Sequence, residues 1–394
     1  MTQADSQLIK WLRFPLTLGV VCLHCMGNVE IDWGALGTKD IPGLVKMTMS
    51  GCILQIAVPV FFFISGFLFF QGVKALDKNN PQSLNLSISQ SLNLSISQYF
   101  KKKLQRRWCS LGIPYVLWIL LSIPLTLLTI YGETLTGTST MDDIHAYLNG
   151  LTIQSVFWGD VNPCSSPNLF GWTIYAAAPT LGSFWYVRDL IIMCLLSPVV
   201  YWLVVKTRYW GLAAVALIHV LRIWPVLSMG IQMLFFVYGA YWAINGWRLS
   251  FKSVAWRIAV YVLALILLVW LVRFEGDSTY PGFVLMPLFT IVGAAAILNL
   301  ATQVIRRLPT AVNERIMNLS KQSFFVYALH LEFALPLGFV ITKKLFAVVP
   351  PGWFTATIQY LVTPCVIYLI CMAIYTVMER LTPRLLAVLN GNRI

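Results

Sequence analysis

Two side chains able to do chemistry lie in the first apolar stretch of the sequence, Trp11-Leu-Arg-Phe-Pro-Leu-Thr-Leu-Gly-Val-Val-Cys-Leu-His24. Arg13 and His24 are eleven residues apart, about three turns of an α-helix, so they lie roughly 20° apart on one face and about 16 Å apart along the axis. A charge at bilayer depth costs about 3 kcal/mol or more, so such residues usually face a bundle interior or a water-filled path. Both on one stripe suggest a polar lane through a helix bundle. The same pair also fits a simpler arrangement, with Arg13 snorkelling to the near interface and His24 at the far one. In a lane, an imidazole serves to accept a proton near neutral pH. A guanidinium serves to hold a phosphate or a developing oxyanion.

Further candidates are spread along the chain. Lys101-Lys-Lys-Leu-Gln-Arg-Arg107 leads into Ile113-Pro-Tyr115. This run reads either as an anionic-lipid anchor at a span entrance or as a site for phosphates arriving from the cytoplasm. In Phe184-Trp-Tyr-Val-Arg-Asp-Leu190, Arg188 and Asp189 are neighbours that point in different directions on a helix, so each is expected to pair with another element. His330 closes Ser323-Phe-Phe-Val-Tyr-Ala-Leu-His330, with Glu332 two residues beyond. His219 and Arg222 read as an interfacial anchor. The eight cysteines show no metal-ligand spacing and read as packing residues, so no metal site is expected.

The elements that must position these residues follow from composition. The 394 residues are 58% hydrophobic and only 11% charged, far below the roughly 25% charged of a soluble domain, and mean hydropathy is +0.74. This is the composition of a polytopic membrane protein. No cleavable signal peptide is evident, because the first apolar run has no clear small-residue cleavage site and continues as a span. Runs of about 20 apolar residues fall near 8–27, 48–71, 108–130, 185–205, 209–225, 229–247, 255–273, 281–302, 321–342 and 355–378. The expected fold is an all-α bundle of about ten transmembrane helices forming one domain over 1–394. Placing the N-terminus in the cytoplasm puts 20 Lys and Arg in inner connections and six in outer ones, with Arg13 and Arg188 inside spans. That bias predicts both termini cytoplasmic. It also makes the net charge of +13 a topology signal and not a nucleic-acid footprint.

Two connections stand out. The inner one, 72–107, holds a perfect tandem octamer, Ser83-Leu-Asn-Leu-Ser-Ile-Ser-Gln90 repeated over 91–98. It reads as a tolerated length insertion whose alternating Leu and Ile also suit a strand. The outer one, 131–183, has no Lys or Arg but contains Glu133, Asp142, Asp143, Asp160, Trp158 and Trp172. Such residues suit a sugar-binding surface, although composition favours simple packing against the interface. Within the second span, Val58-Pro-Val-Phe-Phe-Phe-Ile-Ser-Gly-Phe67 combines a proline that strips Gln55 of a backbone partner with a Ser65-Gly66 pair that permits close helix approach.

Taken in order, Arg13-x10-His24, this second-span motif, the basic run before Ile113-Pro-Tyr115, Phe184–Leu190 and Ser323–His330 resemble the membrane acyltransferase 3 family over about residues 8–380. The resemblance implies transfer of an acyl group, usually acetyl from acetyl-CoA, to a hydroxyl of a cell-surface or lipid-linked glycan at the cytoplasmic membrane. It implies Arg13 and His24 as the essential pair, without the soluble esterase-like domain that some members append. Acyl-CoA is then a substrate, and no permanently bound cofactor is expected. CoA is expected to enter among Arg13, Lys103, Arg106 and Arg107, with the acceptor arriving near Trp185 and His330, and Arg188 and Glu332 in support. His24 is open to two roles, general base or carrier of the acyl group. The rival class is a transporter exporting a polysaccharide or its precursor, since intramembrane Arg and His also suit proton coupling. No duplicated half supports that rival.

Overall fold

The computed structural model describes residues 1–73, 86–137, 139–159, 162–164, 174–222, 233–276 and 279–392, with backbone alone for 86–95, 136, 162–164 and 174–176. Lys74, Lys78, Asp160, Trp172, Arg393 and the start of the octamer repeat lie outside the described residues.

The described chain is helical apart from loops and one short antiparallel pair, Asn162–Cys164 with Ile174–Ala176. In chain order the main helices are α1 Gln3–Leu23, α2 Thr38–Phe70, α3 Ile96–Leu135, α4 Trp185–Leu195, α5 Ser197–Val220, α6 Leu234–Ile244, α7 Val254–Arg273, α8 Tyr280–Arg307, α9 Thr310–Phe346 and α10 Trp353–Leu381. Seven of them (α2, α3, α5, α7, α8, α9 and α10) are long and apolar enough to cross a membrane, so the chain is a multi-pass membrane protein. The remaining expected spans look different. Lys10 and Arg13 keep the hydropathy of α1 below that of a simple span. The apolar run 185–205 is divided, because Pro198 restarts the chain as α5. Inside α5 the backbone of Arg208 turns to φ 52°, which sets the kink between the expected fourth and fifth spans. The helix α6 is only 11 residues long.

Packing follows small residues. At Gly66 an added Cβ would lie 2.1 Å from the Phe236 carbonyl oxygen, and at Gly239 it would lie 2.1 Å from that of Phe63. Hence α2 and α6 cross backbone to backbone, as the Ser65-Gly66 pair suggests, and close approach of small residues is what holds helices together where lipid removes the hydrophobic drive. Pro59 does not break α2. It lies in the first turn of the α-helical stretch Ala57–Phe70, where a missing N–H is harmless. The break instead falls at Cys52 (φ −128°, ψ −73°), between a π-helical stretch Met47–Cys52 and a 3-10 stretch Ile53–Ile56.

The basic run 101–107 is not a loop. It belongs to a continuous helix, Leu86–Arg107, which holds no glycine or proline to stop it. The second octamer is therefore helical and not a strand.

Candidate active site

The helix α1 carries both residues of the expected pair and is anchored at three points. Thr2 caps its start, accepting from the Asp5 N–H at 3.1 Å while Asp5 accepts in return from the Thr2 N–H. Pro15 deprives the Trp11 carbonyl of its helical partner. The Ser320 hydroxyl comes to that place, 3.5 Å from the Trp11 carbonyl, donating at 3.1 Å to the Ile316 carbonyl of its own helix and accepting from the Phe14 N–H at 3.1 Å. Arg13 lies between Trp11 and Phe14, so α9 fixes the backbone at its level. At the far end the Ser50 hydroxyl donates to the Cys22 carbonyl at 2.9 Å and lies 2.7 Å from the Tyr360 hydroxyl, which accepts from the Cys22 thiol at 3.4 Å. Ser50 is fully buried. The next-but-one residue, His24, caps the helix, with φ −78° and ψ −5°.

His24 is exposed on one side. On the other its ring lies 5.2 Å, centroid to centroid, from that of His330. The two residues come from α1 and from the middle of α9, 306 positions apart in sequence. His330 is 0% exposed, and its Nδ1 lies 2.7 Å from the Tyr327 carbonyl. A carbonyl only accepts, so Nδ1 carries the hydrogen and Nε2 the lone pair of the neutral ring. That Nε2 is buried without a hydrogen-bond partner among the described residues.

Aromatic rings extend this pair back towards Arg13. The Tyr327 ring lies 5.9 Å from His330 and 5.8 Å from Tyr186, and its hydroxyl donates to the Ser183 carbonyl. The Tyr186 hydroxyl lies 3.4 Å from that of Ser65, in the second-span motif. Half-buried Arg13 is within electrostatic reach of Tyr186 and of Arg107. The row from His24 through His330, Tyr327 and Tyr186 therefore ends within electrostatic reach of Arg13, whereas neither Tyr was singled out from sequence. The available signal for Tyr327 was its position three residues before His330, one helical turn.

Cations gather at the Arg13 end. Lys103, Arg106 and Arg107 share one face of α3 by their i, i+3, i+4 spacing. Lys103 donates to the Leu68 carbonyl at 3.3 Å and sits 5.3 Å from the Tyr99 ring centroid, so it also ties α3 to the end of α2. Arg107 lines a cavity of about 420 Å³ together with Leu104, Trp108, Ile191 and Cys194, which neither Arg13 nor His24 lines. Arg106 is exposed. The described ion pairs, Lys39–Asp32 and Arg188–Asp189, leave all four cations out. Positive charge without carboxylates is the electrostatics of a phosphate site.

The remaining candidates are supports. Trp185 packs 6.5 Å from Phe62 and from Tyr186. Glu332 accepts from the Gly182 N–H at 3.1 Å, which holds the chain where it enters α4. Arg188 and Asp189 depart from expectation by pairing with each other at 3.0 Å. They stand in the first turn of α4, and the long Arg stem folds back to its neighbour. Arg188 then donates to the Trp158 carbonyl at 2.7 Å and lies over that indole at 4.6 Å, pinning the 131–183 connection to α4. His219 is buried within the protein. It is 2% exposed and packs against Phe235, with Nε2 3.2 Å from the Thr290 hydroxyl. No group of three or more His, Cys, Asp or Glu among the described residues is arranged to hold a metal.

A family model described as an acyltransferase domain matches residues 7–376. No curated protein and no solved structure matches the chain.

Proposed function

The chain belongs to the acyltransferase 3 family, and from that premise we propose that it moves an acyl group, acetyl from acetyl-CoA, onto a hydroxyl of a cell-surface or lipid-linked glycan at the cytoplasmic membrane. The match across residues 7–376 carries this reading. The site's chemistry supports it, because an imidazole with one open side and a distant group of cations that pair with no carboxylate among the described residues meet the two needs of such a reaction.

A sugar hydroxyl is a weak nucleophile at neutral pH. His24 takes its proton as the oxygen attacks the thioester carbonyl carbon, a contribution typically worth 10²–10⁴ in rate. The C–O bond forms, the C–S bond breaks, and the proton on His24 passes to the departing CoA sulfur. Arg13, Lys103, Arg106 and Arg107 hold the donor's phosphates. With both termini cytoplasmic, those cations face the compartment that supplies acetyl-CoA, and the acceptor comes from the opposite side near Trp185 and His330. The about 16 Å between Arg13 and His24 on one helix suits a donor whose phosphates and thioester lie at opposite ends of an extended arm.

The test is transfer of labelled acetyl from acetyl-CoA in membranes that carry the native glycan, read by the glycan's mass. His24→Ala abolishes transfer while the protein still inserts and purifies as a folded species. Wild-type acylation by that variant removes the base assignment. Purified protein that moves a glycan across liposomes but leaves acetyl-CoA intact with every acceptor offered removes the enzyme reading in favour of export.

A further inference from the structure

Among the described residues, the His330 Nε2 is a basic nitrogen that is buried and without a hydrogen-bond partner. His330 cannot rotate to satisfy Nε2 without breaking the bond from Nδ1 to the Tyr327 carbonyl, one turn back on its own helix. The two ring nitrogens point in nearly opposite directions, so Nε2 points away from the α9 backbone. The His24 ring lies 5.2 Å away at a 51° tilt. A buried acceptor normally finds a donor, and the imidazole N–H of His24 is a donor that no described group takes.

We propose that His330 is a positioning residue for His24: a turn of the His24 ring, 5.2 Å away, brings one of its N–H groups to the buried His330 Nε2, which no described group otherwise satisfies. The inference rests on the acyl-transfer reading given above. The bond holds His24 in a single tautomer, with a hydrogen on the nitrogen towards His330 and a lone pair on the nitrogen towards the open side. The acceptor hydroxyl then meets a base that is always correctly protonated and correctly turned. When the proton arrives, His24 is a cation with both nitrogens hydrogenated, and the lone pair of His330 steadies the charge. After the proton moves on to the CoA sulfur, both rings have returned to their starting state. A carboxylate plays this part in serine hydrolases. In a membrane interior a neutral imidazole does so without burying a second charge.

The Tyr327 carbonyl makes the device directional. It fixes the His330 tautomer through a backbone atom, so no titratable side chain has to be in the right state first. The distal ring of His330, and not its bulk, carries the function.

That distinction sets the experiment. Initial rates of labelled acetyl transfer are measured in native membranes for His330→Gln, His330→Asn and His330→Leu. The Gln amide reaches the position of Nε2, whereas the Asn amide covers only that of Nδ1. Loss of a tautomer-fixing partner lowers kcat on the order of 100-fold, so Asn and Leu show that loss with the KM for acetyl-CoA little changed. Gln keeps kcat within about tenfold of wild type. Equal losses in Gln and Asn, a loss confined to KM, or wild-type kcat in Leu overturns the proposal. If Leu does not fold, the Gln and Asn pair alone decides. A dead His24→Ala beside a fully active His330→Leu sinks only this inference. An active His24→Ala sinks the acyl-transfer mechanism itself.

Discussion

At His24 the first helix runs out, and the position matters to its chemistry. The last carbonyls of α1 present the negative end of the helix dipole to the ring, an interaction typically worth about 0.3–1 kcal/mol for a cation at a helix C-terminus. In the proposed mechanism, the imidazolium that forms as the acceptor loses its proton gains that stabilisation in the transition state and not before it, which is the condition for catalysis. At the other end of the helix, Arg13 has neighbours of its own sign, Arg107 among them, and no ion-pair partner among the described residues. Lysine retains the charge but not the planar fork of five donors. Arg13→Lys is therefore expected to lower kcat/KM for acetyl-CoA by roughly tenfold, mostly through KM, since one bidentate contact to phosphate is replaced by a point charge. Steady-state rates over a range of acetyl-CoA concentrations measure it, and an unchanged KM removes Arg13 from the donor site.

The helices near these residues are irregular where they come closest. Met47–Cys52, Trp108–Gly112 and His330–Ala334 are π-helical, and the three stretches hold Ser50, follow Arg107 and begin with His330. Such widened turns are rare and tend to sit at functional sites. None was legible in the sequence, because one extra residue per turn barely disturbs the apolar pattern. Pro59 drew attention to α2, while the break at Cys52 leaves no mark in residue type. Motif residues were easier to find than their supports. His24 and His330 could be named from sequence, but the Ser50–Tyr360–Cys22 bridge joins positions up to 338 apart that carry no shared pattern. That bridge fixes the last turn of α1 directly before His24. Ser50→Ala removes a fully buried hydroxyl and leaves the Tyr360 hydroxyl without the acceptor 2.7 Å away, at a cost of about 1–3 kcal/mol. Tyr360→Phe removes the other half of the bridge. Each is expected to lower Tm by a few degrees and transfer activity several-fold, and the double variant to cost little more than either alone, because the bridge is one unit. Full additivity of the two losses in thermal unfolding and in rate would show that they act separately.

For the molecule as a whole, the spans that composition reveals best are those whose apolar runs are unbroken by charge or by a change of helix. The apolar runs at α7, α8 and α10 were placed from sequence to within a few residues. Where the chain builds a site, the simple rule of one apolar run per span fails. The helix α1 carries Arg13, α4 and α5 split at Pro198, and α6 shortens to lie against α2 through Gly239 and Gly66. The charge distribution belongs to this same scale. The excess of Lys and Arg in the expected inner connections fits orientation, and one member of the basic run, Arg107, is also within electrostatic reach of Arg13. The duplicated octamer precedes that run, and the sequence leading into Tyr99 is identical whether one copy or two is present. Deleting 83–90 therefore leaves the Tyr99 and Lys103 contacts with Phe69 and Leu68 as they are, and removes only the start of the helix Leu86–Arg107 and part of a connection whose closure entropy varies slowly with length. Acetyl transfer within about twofold of wild type is expected, with Tm changed by no more than about a degree. A deletion that abolishes activity would place the repeat inside the donor site and give the helix before Lys101 a part in holding CoA.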